Sequence, residues 1–264
     1  MMWRTALVSL LALALQLSGC STPQKDESAS ATAERLYKDA REDMEAGSYE
    51  RAIKSLERVE GLAAGSLLAQ QALLDLAYLN WRTGEKAQAL TTIERFIKLN
   101  PSSPALDYAY YLRGTINFND NLGLLGTLGG QDLSERDQRA ARDAFQAFKL
   151  LVEQFPASRY ASDARARMNY IVNSLASYEV HVARYYFRRG AYVAAANRAQ
   201  QAVSEFQQSP AIEEALYILT QSYDKLQLTG LRDDADRVLR SNYPNSAYLT
   251  EGLSAREKRW WKFW

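Results

Sequence analysis

Across 264 residues this chain has one cysteine, one histidine and six prolines. A single thiol cannot close an internal disulfide, and no CxxC pair is available for a redox or metal site. A single imidazole, His181, excludes a multi-histidine zinc centre, and His181 reads as a structural or solvated side chain. Net charge is equally scarce, with 32 Lys and Arg against 31 Asp and Glu. A phosphate backbone demands a basic stripe, so nucleic acid is not an expected partner. Gly123, Gly126, Gly129 and Gly130 crowd one stretch. No strand precedes them and no Lys-Ser/Thr pair follows, so they do not cradle phosphate. No nucleophile–base pair is apparent. Neither an enzyme nor a bound metal or cofactor is expected.

The first twenty residues are organised for export. Arg4 precedes an apolar run from Thr5 to Leu17, too short to span a bilayer comfortably. It ends in Leu17-Ser18-Gly19-Cys20, which resembles the bacterial lipobox. Small residues admit the peptidase, and the Cys20 thiol accepts diacylglycerol, with an N-acyl chain on the new terminus. Removing residues 1–19 takes away Arg4 alone and leaves 31 basic against 31 acidic residues. By resemblance to bacterial lipoproteins, Ser21 in place of Asp favours sorting to the outer membrane. Residues 20–31 read as a lipidated flexible tether.

Beyond the tether the pattern is helical, with no convincing strand. A proline-marked join at Asn100-Pro101-Ser102-Ser103-Pro104 recurs in three further places. These are Phe155-Pro156-Ala157-Ser158, Phe206-Gln207-Gln208-Ser209-Pro210 and Tyr243-Pro244-Asn245-Ser246. Ser103 is expected as a helix cap with Pro104 in the first helical position. A second punctuation pairs a glycine with an alanine five residues on: Gly47/Ala52, Gly84/Ala89, Gly190/Ala195 and Gly230/Ala235. Glycine permits the left-handed turn that ends a helix, and alanine lets the next helix approach. Two alternating joins make a helical array, all-α, a tetratricopeptide-like solenoid of about five helix pairs.

The array is expected as N-terminal repeats over 32–160, with a loop insertion at 119–134, followed by a long helix and C-terminal repeats over 161–250. In the long helix Ala164, Met168, Ile171, Leu175, Tyr178, Val182 and Tyr185 form one seam. At 1.5 Å per residue that helix spans about 45 Å, twice a repeat arm, as a bridge between two sub-arrays would need. Residues 251–264 form a tail in which Trp260, Trp261 and Trp264 interleave with basic residues. It suits contact with the membrane or a neighbouring subunit, or a cap on the last repeat.

Arg95-Phe96-Ile97-Lys98-Leu99-Asn100-Pro101, then Leu106-Asp107-Tyr108-Ala109-Tyr110-Tyr111-Leu112-Arg113-Gly114, resembles the BamD/ComL family of outer-membrane assembly lipoproteins. So do Tyr178-Glu179, Arg189-Gly190-Ala191-Tyr192-Val193-Ala194 with Asn197-Arg198, the insertion and the lipobox. The resemblance covers roughly Glu34 to Tyr248. One departure is Glu60-Gly61-Leu62-Ala63-Ala64-Gly65-Ser66, where the family usually has an aromatic-proline turn. The resemblance implies a scaffold of the β-barrel assembly machine, lipid-anchored in the outer membrane and facing the periplasm. Its implied partners are the POTRA repeats of BamA, other lipoprotein subunits of the complex, and unfolded outer-membrane proteins. Tyr78, Asn80, Tyr108, Tyr111 and Arg113 are the candidate set for gripping a client's C-terminal signal. Arg188, Arg189 and Arg198 are the candidates for acidic residues of BamA. The alternative is a pilotin-like or peptidoglycan-linked tetratricopeptide lipoprotein.

Overall fold

A computed structural model of the chain describes residues 28–118 and 138–254. The signal peptide, Cys20, the insertion at 119–134 and the tail tryptophans Trp260, Trp261 and Trp264 lie outside the described residues. Within them every regular element is a helix. The chain divides into two compact units, one ending at Leu79 and the other starting at Asn80.

The first unit contains α1 (Ala29–Glu45), α2 (Tyr49–Leu62) and the greater part of α3 (Leu67–Arg82). Ser28 caps α1 by accepting from the Ala31 N–H at 3.2 Å, so the helix opens inside the stretch expected as tether. Gly47 ends α1 at φ +74°, with the Ser48 N–H returning to the Asp43 carbonyl at 2.8 Å. The apolar stripes then meet: Leu36 and Ala40 of α1, Ala52, Leu56 and Val59 of α2, Ala72, Leu76 and Leu79 of α3. Ser66 accepts from the Ala69 N–H at 3.1 Å and caps α3 directly. The departure at 60–66 therefore makes a different join from the others, with Gly65 at φ +80°. One polar pair enters this core, where the Tyr37 hydroxyl donates to Asp75 at 2.8 Å. Burial pushes the Asp75 carboxyl up, against hydrogen bonds from Tyr37 and Gln71 that favour its ionised form.

The second unit continues with α4 (Lys86–Leu99), α5 (Leu106–Asn117), α6 (Gln138–Gln154), α7 (Ala161–Arg188) and α8 (Tyr192–Glu205). It closes with α9 (Ile212–Lys225), α10 (Thr229–Asn242) and the single turn α11 (Tyr248–Glu251). From α4 to α10 each helix packs on the next, and α9 also touches α7 and α11. The pairs α1/α2 in the first unit and α5/α6, α7/α8 and α9/α10 in the second are tetratricopeptide-like arms of an all-α solenoid fold.

All four recurrent joins share one hydrogen-bond pattern. The residue before the first Pro or Gln accepts, through its carbonyl, from the serine N–H three positions on. The pairs are Asn100–Ser103, Phe155–Ser158, Phe206–Ser209 and Tyr243–Ser246, at 2.9–3.1 Å. Each serine hydroxyl then accepts from the N–H two residues later, at Ala105, Tyr160, Ala211 and Tyr248. This serine turn delays the helix, so α5 opens at Leu106 and not at Pro104.

Two further expectations are corrected. Gly84 and Gly190 take φ of +89° and +78° as foreseen, but Gly230 lies inside α10. The left-handed residue of that arm is Gln227, at φ +60°, with the Leu228 N–H closing on the Tyr223 carbonyl at 3.0 Å. The long helix α7 is present over 28 residues, within the second unit. Its buried face departs from the expected seam after Leu175, passing to Ala176, Glu179, Val180, Ala183 and Arg184, and Tyr185 is 53% exposed. The cause is the neighbour: α8 turns Ala195, Ala196, Ala199 and Ala202 inward. Alanines let the two backbones approach, and the two long side chains on that face, Glu179 and Arg184, are accommodated by pairing with Arg198 and Glu214.

Candidate partner-binding site

Two surface regions of the second unit gather side chains with binding chemistry. The first is built by α5 and the join before α7. Tyr111 and Tyr160 stack with centroids 4.8 Å apart and an interplanar angle of 21°, and Tyr108 meets Tyr160 at 5.5 Å. The Tyr111 hydroxyl donates to Asp163 Oδ2 at 2.8 Å, and Arg167 Nε donates to the same oxygen at 2.6 Å. Burial raises the Tyr111 phenol, and the bond to Asp163 adds to it. Burial would also raise Asp163, but the bonds from Arg167 and Tyr111 outweigh it and hold the carboxyl below its usual range. Arg159 lies 4.7 Å over the Tyr160 ring, and Ser158 donates to Asp107 at 2.7 Å. The result is a partly exposed aromatic shelf with cationic and anionic edges.

Not all of the expected client set reaches this shelf. Tyr108 and Tyr111 share it through Tyr160, while Arg113 rests over Tyr110 at 5.3 Å. Tyr78 belongs to the first unit and packs, half-buried, against that unit's core. Asn80 is buried, and its carbonyl accepts from Thr83 at 3.2 Å and from the Glu85 N–H at 2.8 Å, closing the end of α3.

The second region is the edge formed by the end of α7 and the start of α8. Tyr185 and Val193 are exposed at 53% and 59%. The Arg189 guanidinium stands 5.5 Å over the Tyr185 ring, and Phe187 meets Tyr192 edge-on at 5.5 Å. Arg188 ends α7 and is exposed. Arg198 sits about 9 Å farther along α8 from Tyr192. Its Nη1 lies 3.0 Å from Glu179 Oε2, with the Arg side chain 41% exposed and the Glu side chain 4%. Behind this edge, Arg184 pairs with Glu214 of α9, both nearly buried, and the Tyr248 hydroxyl donates to the other Glu214 oxygen at 3.1 Å. Exposed apolar side chains and guanidiniums carried on one hairpin are chemistry for an acidic protein surface.

Residues 29–239 match the YfiO family, described as outer membrane lipoprotein. The chain belongs to this family. Its relatives include the outer membrane protein assembly factor BamD of Neisseria meningitidis, 43% identical over 259 residues, covering 96% of this chain and 97% of that protein. The BamD of Haemophilus influenzae is 34% identical, covering 89% of each chain. That of Vibrio cholerae is 33% identical, covering 89% of this chain and 97% of its own.

No helix among the described residues is long and apolar enough to cross a membrane. No group of three potential metal ligands comes together among them. Sequence reasoning missed Tyr160, Asp163, Arg167, Arg184, Glu214 and Tyr248. For two of these a signal existed: Tyr160 and Tyr248 both stand two residues after the join serine. Each stacks on a tyrosine five residues into the preceding odd-numbered helix, Tyr111 and Tyr217. Asp163 and Arg167 offered only an i,i+4 charge spacing, silent about Tyr111, and Arg184 and Glu214, 30 positions apart, offered nothing.

Proposed function

We propose that this family member is a lipid-anchored scaffold of the outer-membrane β-barrel assembly machinery, tethered through Cys20 and facing the periplasm. It does no covalent chemistry and works by holding partners. The observation that carries the reading is the α7–α8 hairpin, where Tyr185 and Val193 stand exposed, Arg189 lies over the Tyr185 ring, and Arg198, farther along α8, keeps 41% of its side chain in solvent. That edge suits the POTRA repeats of BamA, with Arg188, Arg189 and Arg198 meeting acidic side chains. The relatives' common name, assembly factor BamD, supports the choice of machinery over a pilotin-like or peptidoglycan-linked scaffold. Other lipoprotein subunits occupy remaining faces, and the tail with Trp260, Trp261 and Trp264 meets the inner leaflet or one of those subunits.

Client C-terminal signals are received on the shelf of Tyr108, Tyr111 and Tyr160. Its stacked rings and the overlying Arg159 suit an aromatic residue followed by a carboxylate. Photo-cross-linkers at Val193 and at Tyr108 in cells test both halves. Adducts with BamA from position 193 and with client C-termini from position 108 are expected. A secretin at either position, or no BamA at 193, contradicts the reading.

A further inference from the structure

Helix α7 buries a carboxylate on the face it turns toward the core. Glu179 is 3% exposed, and Ala176, Val180 and Ala183 of its own helix and Ala195 and Ala199 of α8 are buried in the same core. Arg198 alone hydrogen-bonds this carboxylate among the described residues, through Nη1 at 3.0 Å. An ionised carboxylate without its cation is strongly disfavoured in such surroundings. Arg198 therefore cannot swing out to an external acid without stranding Glu179. The same bond occupies only the inner side of the guanidinium. One of five N–H donors is used, and the side chain keeps 41% of its surface in solvent.

We propose that Glu179 is a positioning residue for partner docking. It pins the inner edge of Arg198 from within the core, so that the outer N–H donors meet a partner carboxylate in a fixed orientation. Docking adds a second acid to the guanidinium and does not displace the first. Pre-orienting a long side chain removes rotamer freedom that binding would otherwise have to remove. Arg184, by contrast, is only 10% exposed and is spent on Glu214, so it anchors helices and faces no partner. The proposal rests on the α7–α8 edge being the BamA-binding edge, and its test separates the two.

The test measures binding of the detergent-solubilised full chain to immobilised POTRA repeats of BamA. The samples are wild type, Arg198→Ala, Glu179→Ala, the double variant and Glu179→Gln. Arg198→Ala and Glu179→Ala are each expected to weaken binding roughly tenfold, and the double variant no further than Arg198→Ala alone. Glu179→Gln, which keeps an acceptor oxygen and the side-chain shape, should stay within about threefold of wild type. If Glu179→Ala binds as well as wild type or better while Arg198→Ala weakens, Glu179 does not position the arginine. If Glu179→Ala costs as much again on the Arg198→Ala background, it acts through the fold and the proposal fails. If Arg198→Ala leaves binding unchanged, the docking edge and the positioning role fall together.

Discussion

Gln227 carries a conformation that the corresponding turns give to glycine. At φ +60° its Cβ crowds the following carbonyl, a cost of about 1–2 kcal/mol for a residue with a side chain. Gln227→Gly relieves that crowding but enlarges the unfolded ensemble, so a net gain of about 0.5–1 kcal/mol is expected in denaturant unfolding. A loss would mean that the glutamine side chain contributes contacts outweighing the strain. Asp75 sets a pH dependence of the opposite sense to an ordinary salt-bridged carboxylate. Because burial raises its folded pKa above the unfolded value, the folded state is favoured when Asp75 is protonated. That contribution is complete below the unfolded pKa and disappears as pH rises through the folded one. Asp75→Asn retains an acceptor for Tyr37 and removes the titration. Its melting temperature should exceed that of wild type at neutral pH, and the gap should narrow as pH falls. An equal gap at all pH values would refute the assignment.

At the scale of elements, spacing in the sequence was enough to place most helices and the long α7. It was not enough to orient α7, because the apolar seam treated Tyr178 and Tyr185 as better core residues than alanine. Packing against an alanine-lined α8 reverses that preference, and the residues turned inward include Glu179 and Arg184, whose partners lie on other helices. The repeated serine join was legible, and with it the places where Tyr160 and Tyr248 enter. The network of Asp163, Arg167 and Tyr111 was not, since it depends on how α5 and α7 meet. Gly114 shows the tolerance of one such meeting. A Cβ there would stand 2.5 Å from the Phe148 ring, which is fully buried and has no room to retreat. Alanine normally gains about 0.5–1 kcal/mol over glycine in a helix. Here the overlap, worth about 1–3 kcal/mol, should win, and Gly114→Ala should lower stability. A stabilised variant would show that α5 and α6 can separate at little cost.

For the whole molecule, near-neutral charge and a succession of helix pairs suit a body that presents surfaces to partners. Family membership fits these features together, and the α7–α8 hairpin carries exposed apolar area at Tyr185 and Val193, positive charge over Tyr185 at Arg189, and a further half-exposed guanidinium along α8 at Arg198. The central claim is that this edge holds the machinery's barrel subunit. The most direct measurement is co-purification of BamA with the tagged full chain from solubilised outer membranes, comparing wild type with Arg198→Glu. Charge reversal sets a carboxylate against Glu179 on one side and against acidic partner residues on the other, so BamA recovery should fall by roughly tenfold or more with the chain itself still present in the membrane. Full recovery of BamA with Arg198→Glu would contradict the account.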